Sequence, residues 1–211
     1  SRNVEQATGK LYDLRNQPIE NPVALRRFVE SIAGEINTGI VKDGALLRSH
    51  DSEKYPYTRV VELESAMVDF YSEFYRRLKD PGQDPIKLAA WVEYRIDLTD
   101  HFFSDGCGKI AKAISGWTLM RNSHQLPAFS ADRSAIFKHA PTSRRGQNAD
   151  LDASQLQVWE KFYRGMFDNA ATPSKDATAQ SRTPSEKFRE LPPEDKQSIE
   201  TARRETEENH E

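Results

Sequence analysis

The sequence predicts an all-α protein. Hydrophobic residues make up 36% of its 211 residues, and they cluster in five segments where they recur at the 3.6-residue period of a helix. Asn-Pro and Asp-Pro pairs, which favour helix starts, precede two of these segments. No segment shows the apolar–polar alternation of a half-buried strand. A bundle of helices is therefore the expected architecture.

The five predicted helices follow one another along the first four fifths of the chain. They span residues 21–36, 59–78, 84–100, 109–121 and 153–167. The second has the strongest periodicity, with an apolar side chain on nearly every turn of one face. Tryptophans at helical spacing in the last three segments are predicted to lie in the core: Trp91, Trp117 and Trp159.

Two connections between these helices lack periodicity. Residues 38–58 contain Gly39, the Asp43-Gly44 pair and Pro56, and we predict either a short β-hairpin or an irregular flap there. Residues 139–152 are polar and are expected to be exposed.

The composition changes near Ala170. Residues 169–211 are rich in Thr, Ser, Pro, Lys and Glu, and they cannot bury enough apolar surface to offset the entropy lost on ordering. We therefore expect an N-terminal extension at 1–21, one domain at 22–168, and a polar tail that is mobile or partly helical at 169–211.

Charge and composition exclude several function classes. The formal net charge of -3 gives no electrostatic basis for binding nucleic acid. No apolar run approaches the length of a membrane span, and no secretion signal is visible. The single cysteine excludes a disulfide framework and a cysteine-rich zinc site. The expected location is the cytoplasm, or a host cell into which the protein is secreted as an effector.

The stretch DHFFSDGCGKIAKAI, residues 100–114, concentrates the polar chemistry of the chain. A Walker loop is excluded because one residue, not four, separates Gly106 from the Gly108-Lys109 pair, and no Ser or Thr follows. His101 and Asp105 are too few for a structural zinc site. One carboxylate together with nucleotide phosphates is an ordinary magnesium arrangement.

Two readings of the stretch remain open. Cys107, near lysines and a helix start, is a candidate nucleophile if a base lies close to it in space. The alternative is an anion site, built from backbone N–H groups at the start of a helix where glycines allow close approach. In that reading His101 is the general base, Phe103 seats the loop, and Lys109 and Lys112 contact outer phosphates.

Residues 101–112, HFFSDGCGKIAK, resemble the signature H-P-F-x-[DE]-G-N-G-R-x-x-R of the Fic (filamentation induced by cyclic AMP) domain family. The helices on both sides are similar to those that flank the family signature. GALLRSHDSEKYPYT, residues 44–58, occupies the place of the family's target-binding flap. The resemblance covers roughly residues 22–168, which would be the catalytic domain.

The resemblance implies a protein nucleotidyltransferase that moves AMP from ATP onto a Ser, Thr or Tyr hydroxyl of a target protein and releases pyrophosphate. His101 would be the base and Asp105 would bind Mg²⁺. The phosphates would be bound by the remaining signature residues: Gly106, Cys107, Gly108, Lys109 and Lys112. The expected partners are a nucleotide and a protein with an accessible hydroxyl, with a homodimer as a further option.

The signature departs from the family pattern at four positions. Cys107 replaces Asn, Phe102 replaces Pro, and Lys109 and Lys112 replace Arg, which removes bidentate geometry. The alternatives are therefore transfer of UMP, phosphocholine or phosphate, or a degenerate nucleotide-binding module. Gly108 favours nucleotide transfer, because phosphate-transferring relatives carry a lysine there.

Regulation and target binding give the last candidates. Residues 31–35 resemble the family's inhibitory pattern [ST]-x-x-x-E-[GN] up to Glu35, although Ile36 breaks the final position. Thr201 to Glu205 has the same spacing. Arg48 and Tyr57 in the flap are candidate target contacts, or they cap a hairpin.

Overall fold

The computed structural model describes residues 2–40, 45–122 and 140–171. Within these residues all five predicted helices are present and no strand forms, so the all-α prediction is confirmed. A further helix precedes them. The helices are α1 Arg2–Asp13, α2 Pro22–Ile36, α3 Leu63–Lys79, α4 Pro85–Glu93, α5 Cys107–Arg121 and α6 Ala149–Ala171.

Two helices begin at the caps that the sequence indicates. The Asn21 side chain accepts a hydrogen bond from the N–H of Ala24 at 2.8 Å. The Asp84 carboxylate accepts from the N–H groups of Ile86 at 2.9 Å and Lys87 at 3.3 Å. In both helices a proline occupies the first helical position, where its missing N–H costs no hydrogen bond. These caps fix where α2 and α4 start.

Helix α4 ends in a widened turn. Residues Tyr94–Thr99 are π-helical, and the N–H of Asp100 bonds the carbonyl of Arg95 at 3.0 Å, five residues back. π-Helical turns are rare in proteins, and those that occur are often found at functional sites. The turn buries the Arg95 side chain and ends at Thr99, two residues before His101, so the chain passes from α4 almost directly into the signature.

The core is aromatic and surrounds α5. Phe70 of α3 is fully buried and packs against Trp91, with ring centroids 5.2 Å apart, and against Phe102, 5.3 Å away. Trp117 of α5 and Trp159 of α6 are also buried. The predicted placement of the three tryptophans in the core is confirmed. A second cluster joins α4, α5 and α6 through Ile86, Ala89, Ala90, Tyr94, Leu98, Leu119, Trp159, Tyr163 and Met166.

The segment predicted as an N-terminal extension contributes to this core. Ala7, Leu11 and Ile19 are buried in the same cluster as α2, α3 and α5. Arg121 at the end of α5 donates to the carbonyls of Arg15 at 3.1 Å and Gln17 at 2.7 Å. The packed core therefore includes residues that precede position 22.

Residues Ser1–Ala170 form one compact unit. Helix α6 runs to Ala171, and the rest of the predicted tail lies outside the described residues. None of the helices in the part of the chain that the structure describes is long and apolar enough to span a membrane.

The core makes a direct stability prediction. Phe70→Ala removes a fully buried ring from the contact with Trp91 and Phe102, and we expect it to lower the free energy of unfolding by about 3–5 kcal/mol. Val68→Ala on the exposed face of the same helix is the control and should change it by less than about 0.5 kcal/mol. Urea denaturation measures both. Equal effects would contradict the packing.

Candidate active site

The flap is irregular and is held against the signature. Residues 45–58 contain no strand, only an isolated antiparallel bridge between Leu47 and Phe103. The N–H of Arg48 donates to the carbonyl of Phe102 at 2.9 Å as part of the same antiparallel pairing. Of the two predicted forms of this segment, the described residues adopt the irregular one.

Arg48 is the anchor of this flap. Its guanidinium donates to the carbonyls of His101 and His50, each at 2.9 Å, of Asp100 at 3.3 Å, and of Thr58. Its side chain is only 10% exposed. The guanidinium is thus engaged with backbone carbonyls, which favours the capping role of Arg48 over contact with a target.

The carboxylate of Asp100, one residue before His101, is fully buried. It accepts from Arg95 at 2.5 Å, from the Thr58 hydroxyl at 2.7 Å and from Arg145 at 3.1 Å. Both arginines also approach Asp69, at 3.5 and 3.6 Å. A buried charge requires such partners, so this network fixes the chain where it enters the signature.

The polar segment before α6 was expected to be exposed, but two of its arginines contact residues outside the segment. Besides the Arg145 contact with Asp100, Arg144 donates to the carbonyl of Tyr57 at 3.2 Å. Neither these two arginines nor Asp100 was predicted from the sequence to belong to the site. A run of polar residues predicts exposure, and only the distant partners reveal that these side chains hold the flap and the signature together.

The imidazole of His101 has a defined orientation. Its φ of 51° is in the left-handed region, which is uncommon for a residue other than glycine. Nδ1 lies 2.8 Å from the carbonyl oxygen of Asp97. Since a carbonyl can only accept, this contact assigns the proton to Nδ1 and leaves Nε2 as the basic nitrogen.

The surroundings of His101 keep it neutral. Burial lowers its pKa below the ordinary value, and the positive charge of Arg48 lowers it further, while the bond to Asp97 acts in the opposite direction. The ring is stacked on Tyr57, with centroids 4.1 Å apart and planes 4° apart. Burial, together with the negative charge of Asp97, raises the pKa of Tyr57 to about 12. The pair is therefore uncharged at neutral pH.

His101 faces a cavity of about 560 Å³. The cavity is lined by flap residues between Arg48 and Tyr57 together with His101 and Ser104. This volume is within the range of small-molecule sites. Both candidate flap contacts, Arg48 and Tyr57, line the cavity. Tyr57 also stacks on His101, so its position suits either a ligand contact or the support of His101.

The start of α5 presents unused backbone donors. Gly106, at φ 68°, caps the helix, and its carbonyl accepts from the N–H groups of Lys109 and Ile110, both at 2.9 Å. Within the described residues the N–H groups of Cys107 and Gly108 have no acceptor. Two donors without an acceptor among the described residues, at the positive end of a helix dipole, are an arrangement that can bind an anion.

Asn37, at the end of α2, holds this turn and was not identified from the sequence. Its side-chain amide donates to the carbonyl of Asp105 at 3.0 Å, and the side chain is buried. A Cβ atom at Gly106 would lie 2.7 Å from the Asn37 oxygen. Both the positive φ and this contact therefore require glycine at position 106.

The charged signature residues surround this helix start. Asp105 is exposed, and its carboxylate accepts from the N–H of Gly106 at 2.6 Å. Lys109 is exposed and Lys112 is half-buried. The carboxylate of Asp97 leaves little room beside Gly108, where a Cβ would lie 3.3 Å from it. No cluster of three or more His, Cys, Asp or Glu that could hold a metal occurs among the described residues.

Cys107 is unsuited to nucleophilic chemistry. Its side chain is buried, and burial raises the pKa of the thiol to about 12. The thiol donates to the carbonyl of Phe103 at 3.4 Å. The thiolate would be needed for attack, so the nucleophile reading is not supported. Phe103 is fully buried in the main core cluster, in the seating position expected of it.

Glu35 contacts a different partner from the one that the inhibitory resemblance implies. It forms an ion pair with Lys10 of α1, whereas the resemblance requires a contact with Lys112 at the end of the signature. The Lys10–Glu35 pair joins α1 to α2. The second match to the inhibitory spacing, at residues 201–205, lies outside the described residues.

One comparison with known proteins bears on the fold. No family model and no curated protein matches the sequence. A Fic domain containing signaling protein from Bacteroides thetaiotaomicron VPI-5482 matches the structure with a TM-score of 0.58 and 17% identity, over 78% of this chain. The fold is that of a Fic domain. The match covers 66% of that protein, just under two thirds of its length.

The helix start predicts a strict requirement for glycine. Gly106→Ala forces a side chain into a left-handed conformation and against Asn37, so we expect a loss of about 1–3 kcal/mol in unfolding free energy. Gly9→Ala within α1, where a Cβ meets nothing within 4 Å, should instead stabilise by about 0.5–1 kcal/mol. In an Asn37→Ala background the cost of Gly106→Ala should fall, and an unchanged cost would exclude the contact.

The burial of His101 predicts its titration. By NMR its pKa should lie below 6.5, and Tyr57→Ala, which uncovers the ring, should raise it. Because the pKa is lowered on folding, the associated stability is present above 6.5 and is lost as the pH falls through the folded-state value. His101→Gln assigns the resonance. A pKa above 6.5 in the unmodified protein would contradict the burial effect.

Proposed function

We propose that this protein transfers AMP from ATP to a Ser, Thr or Tyr hydroxyl of a target protein and releases pyrophosphate. The observation that carries the proposal is His101, whose bond from Nδ1 to the Asp97 carbonyl leaves Nε2 basic. The ring faces a cavity of about 560 Å³, and the unused N–H groups of Cys107 and Gly108 follow a few residues along the chain. The Fic fold supports the same reaction class.

The chemistry assigned to His101 is general base catalysis. Nε2 takes the proton of the target hydroxyl as its oxygen attacks the α-phosphorus. The bond from this phosphorus to the oxygen bridging to the β-phosphorus breaks, and pyrophosphate leaves with the electron pair. The lowered pKa of His101 keeps the base unprotonated at neutral pH, and the Asp97 carbonyl stabilises the proton on Nδ1 when the ring becomes positively charged.

The phosphates are assigned to the start of α5. The N–H groups of Cys107 and Gly108 bind phosphate oxygens, and the Lys109 and Lys112 side chains neutralise outer charge. These contacts are made by backbone and by single charges, so they do not require the asparagine and arginines of the family signature. Loss of bidentate geometry at the lysines is expected to weaken binding.

A magnesium ion fits this site with one protein ligand. The Asp105 carboxylate is exposed, and one of its oxygens accepts from Gly106 while the other remains available. Because no larger acidic cluster is present among the described residues, the other ligands would be phosphate oxygens and water. When bound, the ion would supply neutralisation of phosphate charge.

The test is intact mass spectrometry of a protein mixture after incubation with each nucleoside triphosphate, and with CDP-choline, in the presence of Mg²⁺. His101→Ala should reduce transfer about 10²–10⁴-fold, while His50→Ala, which alters a histidine of the same cavity, should retain transfer to the target. The mass added identifies the group. Addition of UMP or phosphocholine would show that one of these, and not AMP, is the transferred group. Nucleotide binding without any transfer would indicate a degenerate binding module.

A further inference from the structure

We propose that the docking of helix α1 controls how tightly the turn at the start of α5 binds phosphate, and that this control passes through the end of α2. The inference rests on the proposed function in one respect, the assignment of nucleotide phosphates to that turn. It goes beyond the proposed function because it concerns the affinity of the turn and its regulation. Hydrogen bonds carry it, along a path from Asn3 through Asn37 to Asp105.

Helix α1 binds the end of α2. The side-chain amide of Asn3 donates to the carbonyl of Thr38 at 2.9 Å and, more weakly, to that of Ile36 at 3.4 Å. These two carbonyls flank Asn37, so Asn3 holds the backbone on both sides of it. The last carbonyls of a helix have no partner within the helix. A donor from α1 therefore sets the position of this end of α2.

Asn37 connects this position to the phosphate turn. Its side chain is buried, and its amide donates to the carbonyl of Asp105 at 3.0 Å. That carbonyl belongs to the peptide that precedes Gly106, and the carbonyl of Gly106 is in turn held by the first turn of α5. With both peptides fixed, the directions of the N–H groups that follow, on Cys107 and Gly108, are fixed as well. Preorganised donors bind a ligand more tightly than donors that must first be ordered.

Few side chains hold α1 to the core. Ala7 and Leu11 are its buried members of the main core cluster. Gly9 lies exposed in the middle of the helix, where glycine lowers helix stability. The ion pair between Lys10 and Glu35 joins side chains that are each more than a third exposed, so it adds little. Elements with few buried contacts open at low free energy, and α1 can therefore leave α2 while the rest of the core stays folded.

The direction of this control is opposite to that implied by the inhibitory pattern that residues 31–35 resemble. An inhibitory segment lowers activity while it is docked, so its release raises activity. Asn3 instead donates to the backbone at the end of α2, and its effect is to hold the turn in its binding geometry. Release of α1 is therefore expected to lower the affinity for nucleotide.

The experiment measures ATP binding to the full chain by isothermal titration calorimetry, with Mg²⁺ and without an acceptor protein. Asn3→Ala removes the donor from a partly exposed position, and we expect an affinity about two- to tenfold lower, the effect of one lost hydrogen bond. Asn37→Ala should lower the affinity at least as much. Because the effect of Asn3 passes through Asn37, Asn3→Ala should have no further effect in the Asn37→Ala background. Gln6→Ala, at an exposed position of α1, is the matched control and should leave the affinity unchanged.

Hydrogen exchange of α1 gives a second readout, which needs no substitution. Coupling between two sites is reciprocal, so saturating ATP should slow the exchange of the α1 amides in the unmodified protein. In Asn37→Ala, at an ATP concentration that again saturates the site, the exchange of α1 should no longer respond to ATP. This readout follows the docking of α1 directly.

The outcomes separate this inference from the proposed function, because neither readout involves transfer. Unchanged or higher ATP affinity in Asn3→Ala, additive effects of Asn3→Ala and Asn37→Ala, or α1 exchange that ignores ATP would each overturn the inference, even where AMP is transferred to a target. The expected binding pattern without transfer to any protein overturns the proposed function and supports the inference. Absence of ATP binding to the unmodified protein overturns both.

Discussion

The buried carboxylate of Asp100 is the constraint on which the site depends. Three donors reach it: Arg95 from the π-helical turn after α4 and, from distant parts of the chain, Thr58 of the flap and Arg145 of the segment before α6. A carboxylate without solvent is stable only when its charge is compensated and its lone pairs are occupied. The requirement therefore assembles the flap, the signature and the segment before α6 around one point.

His101 is the residue after Asp100, and its geometry is a consequence of the way in which Asp100 is held. The chain leaves the π-helical turn at Thr99, is fixed at Asp100, and enters the left-handed conformation at His101. A strained backbone persists only when its surroundings determine it. Here the surroundings are Arg48, which binds the His101 carbonyl, and Tyr57, which covers the ring. The same contacts that position the imidazole also bury it and lower its pKa.

The flap contributes both backbone contacts and side chains to the site. Its backbone pairs with the signature at Leu47 and Phe103, its Arg48 is engaged internally, and its Ser49 and Tyr57 line the cavity with His101. Residues of the flap and of the signature therefore form the cavity together.

The sequence alone determined the five core helices and the glycine turn before α5, and it singled out His101 as the candidate base, because helical periodicity, glycine spacing and the signature are local patterns. It did not determine α1 as part of the core, the pairing of Glu35 with Lys10, or the roles of Asn37, Asp100 and Arg145. Each of these depends on partners tens of residues away. A polar side chain has the same local pattern whether it is solvated or buried against a distant charge. Only the tertiary structure decides between the two, since it alone sets which buried charges and carbonyls need a partner.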